Sequence, residues 1–160
     1  MTLTLTAETA EDTEAYGAAL AAVLRAGDLL VLSGDLGAGK TTLTRGLGAA
    51  LRVRGDVTSP TFVISRVHPS TVGGPALVHV DAYRLGELAE LDDLDLDTSL
   101  DRAVTVVEWG TGLAEPLAQD RLELEILRAH GADEGEARTL RLTAVGGRWA
   151  DVDLAAALTA

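Results

Sequence analysis

Gly34-Asp35-Leu36-Gly37-Ala38-Gly39-Lys40-Thr41-Thr42 is a glycine-rich run that fits the phosphate-binding loop pattern of Gly, any four residues, Gly-Lys-Ser/Thr. Before it stands Leu29-Leu30-Val31-Leu32, an apolar segment with the length of a buried parallel strand. After it Leu43, Leu47, Ala50 and Leu51 recur at helical spacing, so the loop joins a strand to a helix. Glycines let the backbone turn tightly and bring its N–H groups against phosphate oxygens. The helix N-terminus adds unpaired donors and a positive dipole end aimed at the same anion. In this reading residues Asp35, Leu36, Gly37, Ala38, Gly39, Lys40, Thr41 and Thr42 cradle a nucleotide. Lys40 reaches the β- and γ-phosphates, and the Thr41 hydroxyl sits on Mg²⁺. Of the 13 Lys and Arg residues, 12 are arginine, and the sole lysine is Lys40. A compact ammonium suits a phosphate cradle in a way that a forked guanidinium does not.

The 160 residues are expected to form one domain spanning 1–160, long enough to bury a substantial core. Hydrophobic residues make up 47% and charged residues 24%, ordinary for a soluble globular chain. With no cysteine, disulfides and thiolate metal sites are excluded. No apolar run approaches the ~20 residues of a membrane span, and the N-terminus lacks a basic stretch before an apolar one. A cytoplasmic location without membrane attachment is the expectation. The net charge of −12 argues against independent, electrostatically driven binding to nucleic acid. A role in a nucleic-acid pathway would therefore be exercised through a partner that holds the nucleic acid.

Outward from the loop, Thr2–Thr6 alternates threonine with leucine and predicts a strand with one buried face. Thr9–Arg25 predicts a helix, capped by Thr9 or Thr13, with Ala19, Leu20, Val23 and Leu24 as its apolar stripe. Val63–Val67 and Ala76–Val80 predict two strands around a Gly/Pro/Ser-rich hairpin loop, His68–Pro75. Leu85, Leu88, Leu91 and Leu94 then recur on the most acidic stretch of the chain, Glu87–Asp101, either a partner surface or a solvated helix face. Ala103–Val107 predicts a strongly apolar strand, Leu122–Leu127 and Thr139–Thr143 a late pair, and Trp149–Leu158 a closing helix. Strands and helices alternate early and strands pair late. The predicted class is α/β, a P-loop NTPase-like mixed, mainly parallel sheet flanked by helices.

A P-loop enzyme also needs a carboxylate near Mg²⁺ at the end of an apolar strand. Asp81, after Leu77–Val80, and Glu108, after Ala103–Val107, both qualify. One acid would hold the metal directly or through its waters, and the other would orient or activate the attacking water. Either acid alone is equally well explained as a strand-end carboxylate capping a turn. In Ser59-Pro60-Thr61 the proline stiffens the approach to Thr61, whose hydroxyl either meets the γ-phosphate or initiates a strand. His79 shares a face with Asp81 and is either a buried neighbour or a catalytic group. Ras-type guanine recognition uses Asn/Thr-Lys-x-Asp, and the sole lysine is already in the loop, so ATP is favoured by elimination.

Taken together these residues resemble the TsaE (YjeE) family of bacterial ATPases, required to make threonylcarbamoyladenosine in tRNA. The resemblance rests on Gly34–Thr42, Ser59-Pro60-Thr61-Phe62, His79-Val80-Asp81-Ala82-Tyr83-Arg84 and Val107-Glu108-Trp109. The loop alone is shared by many NTPases, whereas four blocks in this order and spacing are specific. The resemblance implies that ATP is held by the loop and Mg²⁺ by Thr41 and Glu108. It makes Asp81 necessary for hydrolysis, with Lys40 and Thr61 acting at the phosphates, Thr61 from a switch-like loop. It puts Glu11 and Arg138 near the adenine. It implies TsaD- and TsaB-like partners, with tRNA reached only through them. The competing readings are a small-molecule kinase and a nucleotide-gated binding switch. No basic lid segment of the kind a kinase closes over phosphates stands out.

Overall fold

The computed structural model describes residues 2–34, 39–53, 65–81, 103–108, 120–128 and 137–159. Asp35–Ala38, Thr61 and the acidic stretch Glu87–Asp101 lie outside them. Seven strands form one sheet: β1 (Thr2–Ala7), β2 (Leu29–Gly34), β3 (Ser65–His68), β4 (Ala76–Asp81), β5 (Ala103–Glu108), β6 (Arg121–Arg128) and β7 (Arg138–Val145). Their order is β1-β7-β6-β2-β5-β4-β3. The strand that leads into the glycine-rich loop, β2, is central and lies parallel to β5 on one side and β6 on the other. β4 continues the parallel set beside β5, while β7 and β3 run antiparallel to their neighbours. The expected α/β class with a mixed, mainly parallel sheet is the one observed.

Burial follows position in the sheet. All six residues of β5 are buried, as are Leu29–Leu32, the mark of parallel strands covered on both faces. β6 instead alternates, with Leu122, Leu124 and Ile126 buried between partly exposed neighbours. On its outer face Glu125 pairs with its register partner Arg141 at 3.1 Å. The inner face packs under helices α1 (Ala10–Ala21) and α2 (Lys40–Leu51), with Leu20, Leu43 and Leu47 over Leu30, Leu32, Val104, Val106, Leu122, Leu124 and Ile126 in one core.

Helix α1 opens with a full capping box. The Thr9 hydroxyl accepts from the Asp12 N–H, and the Asp12 carboxylate accepts from the Thr9 N–H. Thr9 is thus the cap, and Thr13 is buried inside the helix. The Tyr16 hydroxyl donates to the Thr6 carbonyl at 3.0 Å and ties α1 to β1. Where α1 crosses α2 the two backbones nearly touch. A Cβ on Gly17 would overlap the Leu43 carbonyl, and one on Gly46 would overlap that of Glu14. Two glycines therefore set the distance between the helices.

Two helices differ from expectation. α1 ends at Ala21, with Ala22 as its C-cap, although Val23 is partly and Leu24 fully buried. These two residues reach the core from turns, closed where the Arg25 N–H donates to Asp28 at 2.8 Å. The closing helix is broken into a 3-10 turn, Gly147–Trp149, and a short helix α3, Leu154–Thr159. Asp153 interrupts it, since its carboxylate accepts from the Ala156 N–H at 3.0 Å and begins a new helix. The hairpin was expected and is present. Its loop is held by the Ser70 hydroxyl, which accepts from the Val72 and Gly74 N–H groups.

Candidate nucleotide site

The parallel strands β2, β4, β5 and β6 end at one edge of the sheet, where ligands of open α/β sheets bind. Helix α2 begins at that edge, and its N-terminus differs chemically from that of α1. α1 caps itself and carries Glu11 and Asp12 in its first turn. α2 has no side-chain cap and no acid in its first turn, and its first residue is Lys40. At the start of α2 the Leu43 N–H donates to the Gly39 carbonyl at 2.9 Å. Helix geometry leaves the N–H groups of Lys40, Thr41 and Thr42 without intrahelical acceptors. An uncapped N-terminus bearing a cation is arranged for an anion.

Gly39, the residue before α2, has φ +116°, a backbone that only glycine adopts without strain. Space is not the reason, because a Cβ there would lie 3.6 Å from Thr13 Cγ2, an ordinary contact. The glycine is required by conformation. Lys40 is 6% exposed and its Nζ donates to the Gly34 carbonyl at 2.9 Å, so the ammonium reaches back to the end of β2. The Thr44 hydroxyl accepts no role in the site and donates to the Lys40 carbonyl at 2.8 Å, inside the helix.

The two acids are register partners. Asp81 ends β4 and Glu108 ends β5, and they face each other in the parallel ladder. Glu108 is also the register partner of Leu32 on β2. At strand spacings of ~4.8 Å, Glu108 stands one strand from β2 and Asp81 two, about 10 Å away. Glu108 is 3% exposed, and its Oε1 has no hydrogen-bond partner among the described residues. His79 Nε2 lies 3.6 Å from that oxygen. A buried carboxylate is costly unless its charge is met, and a hydrated divalent cation would meet it. Among the described residues no three His, Cys, Asp or Glu side chains converge as a metal cage. Mg²⁺ held on phosphates needs none, since one carboxylate and one hydroxyl with waters are enough. The oxygen donors Thr41 and Glu108 fit that ion.

Arg138 is the first residue of β7, paired with Ala7 at the end of β1 and with Arg128 at the end of β6. It therefore lies at the same sheet edge as the glycine-rich loop. Arg128, which sequence reasoning passed over, is brought there by the same pairing; only the register reveals it. Glu11 lies in the exposed first turn of α1, beside an open groove shared with Gly46, Ala49 and Ala50 of α2. On α1 it is Thr13 whose side chain comes near Gly39.

The chain is similar to known proteins. The family model described as threonylcarbamoyl adenosine biosynthesis protein TsaE matches residues 7–139. The tRNA threonylcarbamoyladenosine biosynthesis protein TsaE of Streptomyces coelicolor is 63% identical over 139 residues, 86% of this chain and 94% of that protein. Its counterpart in Mycobacterium tuberculosis is 52% identical, covering 81% and 82% of the two chains. The crystal structure of Bacillus subtilis YdiB superposes with a TM-score of 0.75 at 33% identity, covering 99% of this chain and 95% of that one.

Proposed function

Because the chain belongs to the family of threonylcarbamoyl adenosine biosynthesis proteins TsaE, we propose that it is the Mg²⁺-dependent ATPase subunit of the bacterial machinery that makes threonylcarbamoyladenosine in tRNA. In this reading it hydrolyses ATP in the cytoplasm to support turnover of a TsaD- and TsaB-like pair. The observation that carries the ATPase reading is the buried Glu108 carboxylate one strand from the loop strand. It stands at the same sheet edge as the uncapped, lysine-bearing start of α2.

Each residue then has a task. The N–H groups at the start of α2 and of the glycine-rich loop grip the phosphates. Lys40 exchanges the Gly34 carbonyl for the β- and γ-phosphate oxygens. The Thr41 hydroxyl and the Glu108 carboxylate would hold Mg²⁺. When bound, that ion neutralises charge developing on the phosphate oxygens. Asp81, two strands from β2, orients the attacking water and accepts its proton. Thr61 would complete the γ-phosphate side from its switch-like loop. The chain's −12 charge leaves tRNA to the partner proteins.

The test is phosphate release from ATP by the purified protein, with Mg²⁺ and with a chelator. Mg²⁺-dependent release is expected, slow without partners. A protein that binds no ATP in a direct titration, with or without Mg²⁺, would overturn the reading.

A further inference from the structure

We propose that His79 is a positioning residue, one that fixes the Glu108 carboxylate for its grip on a divalent cation. The inference rests on the reading of Glu108 as the metal-facing acid. His79 lies on β4 opposite Val106, two residues before Glu108 on β5. Imidazole and carboxylate therefore sit diagonally on one face of the sheet. The residue is completely buried, and neither ring nitrogen has a hydrogen-bond partner among the described residues. Its Nε2 lies 3.6 Å from Glu108 Oε1, which also lacks a hydrogen-bond partner. That is about 0.4 Å beyond the ~3.2 Å limit of an ordinary N–H···O bond.

Packing alone would be served better by leucine, since an imidazole sealed from water costs free energy unless its polar atoms are used. A buried donor and a buried acceptor left facing each other are one another's available partners. With the proton on Nε2, His79 donates to Oε1 as the carboxylate settles. The second oxygen, Oε2, is then left to face the cation. Holding one oxygen removes the torsional freedom of a side chain at a strand end and selects one lone-pair direction. Outer partners of this kind typically change metal affinity by ~10–100-fold when removed.

The experiment measures Mn²⁺ affinity by electron paramagnetic resonance, in the presence of a non-hydrolysable ATP analogue, for the wild type and three variants. It also measures analogue affinity without metal. His79→Leu is expected to weaken Mn²⁺ binding ~10–100-fold while metal-free analogue affinity stays native. His79→Gln, whose amide nitrogen lies near the position of Nε2, is expected to recover most of the loss. His79→Asn, whose amide nitrogen lies near Nδ1, is not, and this pair keeps the test open if the leucine variant does not fold. Native Mn²⁺ affinity in His79→Leu, equal losses with and without metal, or a Gln variant no better than Asn would overturn the proposal. Glu108→Gln separates the two claims. If it loses Mn²⁺ affinity while His79→Leu does not, only the positioning role falls. If it keeps native affinity, the metal reading of Glu108 falls with it.

Discussion

Removing the Asp28 carboxylate should cost the protein much of its stability while leaving nucleotide binding intact. Asp28 stands just before β2 and is 6% exposed. Its Oδ1 accepts from Arg148 Nε at 3.2 Å, and its Oδ2 from Arg148 Nη2 at 3.1 Å and the Arg25 N–H at 2.8 Å. Arg148 also donates to the Val23 carbonyl at 2.8 Å and stacks 4.2 Å from the Trp149 ring centre. The fork therefore joins the end of α1, the entry to β2 and the 3-10 turn near the C-terminus. Breaking such a pair from one side leaves a largely buried charge, at a cost of about 3–5 kcal/mol. At roughly 2–4 °C per kcal/mol for a chain of this size, Asp28→Ala should lower Tm by roughly 6–20 °C. Arg148→Met keeps the apolar stem over Trp149 and abandons Asp28 instead. The double variant should be less damaged than the sum, with a coupling of ~0.5–3 kcal/mol in a urea-unfolding cycle. Because the proposed nucleotide edge lies at the other end of β2, analogue affinity of the folded variants should match the wild type. Additive losses, or an Asp28→Ala cost below about 1 kcal/mol, would refute the view that this fork is a coupled buried pair.

Other perturbations test other links. Lys40→Ala should reduce ATP hydrolysis by at least ~10²-fold, as loss of a charge facing the reacting group does, and Lys40→Arg should also be poor because the cradle suits a compact ammonium; a native rate for Lys40→Arg in a phosphate-release assay would reject that. Gly46→Ala should destabilise α2 against α1 despite a helix-propensity gain of ~1 kcal/mol, since the added methyl meets the Glu14 carbonyl and overpacking costs ~1–3 kcal/mol; raised stability in urea would contradict the close crossing. Adding a TsaD–TsaB-like pair should accelerate phosphate release, because a charge supplied in trans can raise P-loop hydrolysis by ~10³–10⁵. The stimulation should fade with salt if the acidic stretch Glu87–Asp101 docks the pair, as exposed charges are screened beyond ~10 Å at 0.1 M; equal rates with and without the pair would remove partner activation.

What was legible in the sequence is what local chemistry specifies. Glycine spacing, a four-residue apolar run and a 3.6-residue period define β2, the loop and α2, and the strongly apolar Ala103–Val107 marks a strand buried on both faces. Glu108 is one of the two strand-end acids that qualify, and its strand β5 pairs with β2. What was not legible depends on register between distant strands. The pairing of Arg128 with Arg138 and the diagonal approach of His79 to Glu108 have no signature within either segment. The helix ends were misjudged because burial continues after helical structure stops. Val23 and Leu24 fill the core from turns, and Trp149, Leu154 and Leu158 keep an apolar pattern across the break that Asp153 makes.

The most direct measurement of the central claim is an ATP titration with and without Mg²⁺ on Glu108→Ala and Asp81→Ala, paired with single-turnover hydrolysis. In the proposed mechanism Glu108, one strand from β2, holds the metal, and Asp81, its register partner one strand further out, orients the water. Glu108→Ala should bind ATP with an affinity that barely responds to Mg²⁺. Asp81→Ala should bind Mg-ATP as the wild type does and fail only at the chemical step. The reverse pattern, or two variants whose Mg²⁺ response and hydrolysis are both native, would contradict the account.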